Sequence, residues 1–152
     1  MHLSPAASRT RPSTARLSCS FGLGLSLCAC GASSESADEF GANAPVVLAT
    51  SPRDGERSVD PALAQVTATF SEAMDPIGWS WVTEVGRSTP SITGLPFYLD
   101  ESTTVLPVRL EPATAYVLWV NSPDDEELRK FTSVLGVSAR AYRIRFTTRS
   151  AE

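Results

Sequence analysis

After Cys30 the chain contains neither cysteine nor histidine: the three cysteines are Cys19, Cys28 and Cys30, and the one histidine is His2. Everything from Gly31 onward therefore lacks disulfides, Cys/His zinc sites, cysteine nucleophiles and any Ser-His-Asp triad. Cations are in the minority as well. Thirteen Lys and Arg face 17 Asp and Glu, a formal net charge of −4 and a pI near 5.0, which is not the footprint of a nucleic-acid partner. Serines are plentiful, yet none stands in Gly-x-Ser-x-Gly or Ser-x-x-Lys. The acidic run Asp124-Asp125-Glu126-Glu127 lacks the alternating Asp spacing of a calcium loop, and consecutive carboxylates rarely converge on one ion. No catalytic residue, metal site or cofactor is expected.

What is present begins with an address. Arg9, Arg11 and Arg16 precede the apolar run Leu17–Leu27, and no acidic residue occurs before Glu35. Eleven apolar residues are too few for a spanning helix, which needs about 20, but they suit the apolar centre of a signal peptide. Leu27-Cys28-Ala29-Cys30-Gly31 then resembles the bacterial lipobox, in which an aliphatic residue and two small ones precede a lipidated cysteine; Cys28 departs from the usual small residue at its place. The resemblance implies a signal peptide over 1–29, lipidation at Cys30 and membrane attachment through the lipid. Ordinary secretion after cleavage near Ala29 or Ala32 is the alternative. Cleavage before Cys30 removes three arginines and no acid, leaving 10 cations against 17 carboxylates and a net charge of −7. Residues 30–44 are small, polar and acidic, too poor in apolar area to offset the entropy of ordering, and read as a flexible tether.

From residue 45 to 149 the pattern is that of an all-β domain. In Val66–Phe70, Val66, Ala68 and Phe70 alternate with Thr67 and Thr69, the two-residue period of a half-buried strand. Similar runs occupy Pro45–Thr50, Gly78–Val85, Ser91–Thr93, Phe97–Leu99, Thr104–Leu110, Tyr116–Asn121 and Tyr142–Thr148. Turn signals such as Ser51-Pro52-Arg53-Asp54-Gly55 separate them. Roughly seven short strands without a helical period predict an antiparallel β-sandwich of the Ig-like or fibronectin-III-like kind. The expected core includes Phe70, Met74, Trp79, Trp81, Tyr116 and Phe146. Val117, Trp119 and Asn121 are expected to point outward, and Pro107, lacking an N–H, to mark an edge strand or a bulge.

Leu110-Glu111-Pro112-Ala113-Thr114-Ala115-Tyr116 resembles the segment that builds a tyrosine corner in fibronectin-type sandwiches, so Tyr116 is read as structural. Taken together, Pro45-Val46-Val47, Ser51-Pro52-x-Asp54-Gly55, Val66-Thr67-Ala68-Thr69-Phe70-Ser71-x-x-Met74-Asp75 and Tyr142-x-Ile144-x-Phe146-x-Thr148 resemble the bacterial Ig-like domain of the S-layer (SbsA) type. That resemblance implies a spacer or adhesive module of exported or cell-surface proteins, with no catalytic activity to transfer.

The side chains suited to a partner are Trp119, Arg109, Arg143 and Arg145, all on the outward phase of their strands. They could form a cation–π stack or a binding patch. Two functions follow. One is a non-catalytic, lipid-anchored envelope protein whose Ig-like domain contacts an envelope protein or polysaccharide. The other is a small carbohydrate-binding module using exposed tryptophans.

Overall fold

The computed structural model describes residues 41–151; the expected signal peptide, Cys30 and most of the expected tether lie outside them. The strands are β1 (Val47–Ser51), β2 (Glu56–Val59), β3 (Gln65–Phe70), β4 (Trp81–Thr83), β5 (Ser91–Ile92), β6 (Phe97–Tyr98), β7 (Thr103–Arg109), β8 (Ala115–Val120) and β9 (Tyr142–Thr148), with one 3₁₀ turn at Glu126–Leu128. They form two sheets. The first runs β1-β3-β7-β5, with β6 also pairing β7; the second runs β2-β9-β8-β4. Every ladder is antiparallel except β2 on β9. The fold is an Ig-like β-sandwich.

Strand periodicity builds the core. Val66, Ala68 and Phe70 from β3, with Leu106 and Val108 from β7, meet Tyr116, Leu118 and Val120 of β8 and Ile144 and Phe146 of β9. All are buried, and each large apolar side chain removed from water contributes roughly 1.5–3 kcal/mol. Phe131 comes from a loop, and its ring lies 5.4 Å from that of Phe70 and edge-on to Trp81 at 5.7 Å. Met74 is buried where the chain leaves β3, its N–H donating to the Glu101 carbonyl at 2.8 Å. Tyr116 is buried, its ring 5.3 Å from Phe146, and its hydroxyl accepts from the Glu111 N–H at 2.7 Å. The hydroxyl thus reaches back to backbone just upstream, the geometry of a tyrosine corner.

Several expectations are corrected. Glu56–Val59 forms a strand, although only Val59 of its four residues is buried; polar flank residues hid it from a hydrophobic pattern. Gly78–Val85 shortens to three residues, so Trp79 precedes the strand and is 38% exposed instead of in the core. Gly78 itself permits a close approach: a Cβ there would run into the Lys130 carbonyl oxygen. Gly41–Ala44, assigned to the tether, forms a turn closed by Ala44 N–H on the Gly41 carbonyl, and Ala44 is buried.

Pro107 lies on an interior strand without a register shift, paired with Gln65. Val108 N–H donates to Ala64 and Phe70 N–H to the Ser102 carbonyl. By the alternation of an antiparallel ladder, residue 107 therefore directs its backbone away from β3. Its carbonyl accepts from Thr93 N–H on the opposite side, in the gap between β6 and β5. The missing donor falls where the partner strand is interrupted, so an interior proline costs no ladder bond.

Asn121 is the largest departure. It is fully buried, with φ of 58°, a left-handed conformation that asparagine tolerates better than most residues. Leaving the strand conformation ends the alternation, and the side chain turns inward. Its Nδ2 donates to the carbonyls of Ala139 (2.8 Å) and Phe131 (3.1 Å), and its Oδ1 accepts from Phe131 N–H at 3.0 Å. The amide thereby pins the Phe131 segment, whose ring fills the core. Buried Arg129 holds the preceding loop, donating from Nε to the Ser122 carbonyl at 2.9 Å and from Nη2 to that of Pro123 at 2.7 Å.

Candidate binding surface on the outer face of the second sheet

The register of β8 and β9 sets side chains opposite one another: Trp119 faces Arg143, Val117 faces Arg145 and Ala115 faces Thr147. Tyr116, Leu118, Ile144 and Phe146 turn inward, so these pairs line the outer face. Val82 of β4 pairs with Trp119, and Glu84 follows immediately after that strand.

Glu84 organises the upper part of the face. One oxygen accepts from Trp119 Nε1 at 3.1 Å and Arg143 Nε at 2.9 Å; the other accepts from Arg143 Nη2 at 2.8 Å. Arg87 adds an ion pair at 3.5 Å. The Arg143 guanidinium stands 5.8 Å from the Trp119 ring centroid, within cation–π range. The Trp119 N–H, followed by the Arg143 guanidinium, holds the Glu84 carboxyl below its usual range against the opposing effect of burial. Lower down, Arg145 grips Asp54 through Nε and Nη2, both at 3.1 Å, while its backbone N–H donates to the same carboxylate at 2.9 Å. Asp54 is held low chiefly by that side-chain bond, and Arg145 is held high by the reciprocal one. Two-point carboxylate binding of this kind fixes guanidinium orientation as well as charge.

Trp119, Arg143 and Arg145 thus share one face. Arg109 does not: it belongs to β7 in the first sheet. Alternation reports which side of its own strand a residue occupies, and says nothing about which sheet that strand joins. Glu84 and Asp54 were invisible as parts of this surface because they lie 59 and 91 residues from their arginines.

The other acids have local duties. Asp60, Asp75 and Asp100 accept backbone N–H groups two residues on, as turn aspartates do, and Asp125 does the same for Glu127 at the start of the 3₁₀ turn. Among the described residues no three His, Cys, Asp or Glu side chains are grouped to hold a metal ion. Trp81 is partly buried against Phe131. Trp79 lines a separate hollow of about 500 Å³ with Ile92, Leu95 and Leu128.

A family model for the bacterial Ig-like domain matches residues 41–148. The chain belongs to the bacterial Ig-like domain family. The Ig-like domain accounts for nearly all the described residues, and the match begins at the Gly41–Ala44 turn. Among solved structures, the chain is similar to domains 1–6 of the surface-layer protein SbsC, at 15% identity and a TM-score of 0.46, over 73% of this chain and 14% of that one. The N-terminal part of SbsC gives 12% identity and a TM-score of 0.44, over 70% and 24% of the two chains. This chain therefore spans a small fraction of the length of those proteins. No curated protein matches it at a significant level.

Proposed function

We propose that the protein is an exported, lipid-anchored component of the bacterial cell envelope that carries one Ig-like domain acting as a non-catalytic interaction module. The observation that carries the non-catalytic reading is the absence of His and Cys from all of residues 31–152, combined with an outer face on which Glu84 and Asp54 are each engaged by an arginine. Such carboxylates are held ionised and are poor proton donors at neutral pH. The anchoring half of the reading is supported by the arginine-led apolar run and by Leu27-Cys28-Ala29-Cys30-Gly31. Lipidation at Cys30 would attach the domain to the membrane through the acyl chains, with residues between Cys30 and the first turn as the spacer.

Metabolic labelling of the full chain with a palmitate analogue tests the anchor. The expected result is incorporation that disappears in Cys30→Ala; absent incorporation, or incorporation that survives the substitution, overturns it. A second reading, a carbohydrate-binding module, draws on the exposed face of Trp79. Quenching of tryptophan fluorescence by added glycan, lost in Trp79→Ala, is its expected mark.

A further inference from the structure

We infer that the outer face of the second sheet carries a binding site for an acidic polysaccharide, seated among Arg57, Arg87, Arg143 and Arg145. This rests on the reading of the Ig-like domain as a surface-acting module and names the partner class; it does not depend on the lipid anchor.

The four arginines surround an open hollow of about 470 Å³. Arg143 and Arg145, two residues apart on β9, stand on the same outward phase. Arg57 pairs with Thr147 in the parallel β2–β9 ladder, which extends that line by one more position on the same face. Arg87 closes the other side: the adjacent Ser88 bridges to Tyr116 of β8 and accepts the Val117 N–H at 3.1 Å. Between these walls lies exposed Ala115, with Val117 beside it almost wholly covered. Thus four of the cations of an acidic protein are gathered at one place.

Their charge faces outward. The carboxylates that orient them are the more covered partners: the side chains of Glu84 and Asp54 are 27% and 28% exposed, against 61% for Arg87 and 55% for Arg145. Arg57 forms no ion pair among the described residues, and Arg87 has only the longer contact to Glu84, so both keep guanidinium donors for a ligand. Glu56 also lines the hollow, but its Oε2 is engaged by the Arg53 N–H at 2.8 Å. Fixed guanidiniums with spare N–H groups recognise carboxylate, sulfate or phosphate oxygens.

The form of the site favours a glycan over a polypeptide. β8 and β9, which run beneath the hollow, are interior strands of the sheet, so its floor offers no edge for strand addition. Exposed Ala115 leaves a small, shallow apolar contact for the C–H face of a sugar ring, while the surrounding arginines meet its acidic substituents. The four guanidiniums outnumber the nearby carboxylates of Glu56, Glu84 and Asp54, whereas the chain as a whole is acidic, so a polyanion is directed to this face.

The test is calorimetric titration of the purified full chain with oligogalacturonate, neutral dextran and inorganic polyphosphate at low and high salt. Oligogalacturonate is expected to bind with salt-sensitive affinity and dextran to show none. Arg57→Ser combined with Arg87→Ser is expected to weaken binding about tenfold or more, as befits the loss of charge-assisted bonds. Arg109→Ser, on the other sheet, should leave it unchanged. Circular dichroism and a melting curve on each variant establish that it is folded. No oligogalacturonate binding overturns the inference, as does an Arg109→Ser loss equal to that of the double variant. Dextran or polyphosphate binding as tightly as oligogalacturonate overturns the acidic-glycan assignment. The outcome is separable from the anchor reading: a chain that labels at Cys30 and ignores the glycan sinks this inference alone, and one that binds the glycan without labelling sinks only the anchor.

Discussion

Two polar networks in this domain use similar chemistry in opposite surroundings. At the end of β8, Asn121 joins three backbone groups of Phe131 and Ala139 in complete burial. On the outer face, Glu84 joins Trp119, Arg143 and Arg87 where water reaches the side chains. The exposed network contains the charges, yet the neutral buried one is the greater structural commitment. Breaking it strands polar groups that no water can reach; breaking the exposed one returns its members to solvent, where screening has already reduced their attraction.

The sharpest way to break the comparison is Asn121→Ala. It leaves the Phe131 N–H and the Ala139 carbonyl without their partner, while the Phe131 carbonyl keeps the Ala139 N–H, and it places alanine at a positive φ, so we expect a loss of about 3 kcal/mol or more, read as a fall in denaturant midpoint. A loss under about 1 kcal/mol would mean that the loop re-forms its bonds elsewhere and that burial is not what matters there. Tyr116→Phe is intermediate: it deletes the hydroxyl that accepts from Glu111 N–H while keeping the ring against Phe146. The expected cost is about 1 kcal/mol, and an unchanged melting temperature would argue against the corner. Glu84→Gln should cost less than Tyr116→Phe, and that small loss should shrink further in high salt; a cost equal to that of Asn121→Ala would reverse the ranking.

The pH dependence sharpens the same contrast. Glu84 and Asp54 have pKa values lowered by their partners. Their contribution is present above the unfolded-state value and fades as pH falls through the lower folded-state one, so melting temperature should decline on the acid side, less steeply in Glu84→Gln. Tyr98, half-buried on β6, is displaced the other way, from 10.0 to about 12, first by burial and then by Asp75. Its contribution is complete below pH 10 and is lost as pH rises toward 12. Ultraviolet titration should show Tyr98 ionising late, as a high-pH absorbance change that shrinks in Tyr98→Phe.

Much of the sandwich was legible because it depends on a local period. The alternation in Val66–Phe70, Tyr116–Val120 and Tyr142–Thr148 places the same residues in the core that the structure buries, and the tyrosine of Leu110–Tyr116 makes the backbone bond that its surroundings imply. Legibility failed where one residue's conformation interrupts the period. Asn121 was assigned outward by counting from Tyr116, but its left-handed backbone turns it into the core. Trp79 was assigned inward by counting from Trp81, but the strand starts at Trp81 itself. Val117, counted outward, is only 8% exposed, with Arg145 opposite it on β9 and Ser88 bonded to its N–H on the other side.

The amino-acid sequence by itself determined the class of the domain, its alternating core and the absence of histidine and cysteine chemistry, since these depend on composition and on spacings of two residues. Only the tertiary structure decided which strands became neighbours. It therefore decided that Arg109 stands apart, that Glu84 and Asp54 orient Arg143 and Arg145, and that Arg57 and Arg87 join them around one hollow. Each of those relations spans tens of residues, and a strand's pattern records which side faces water without recording what stands beside it.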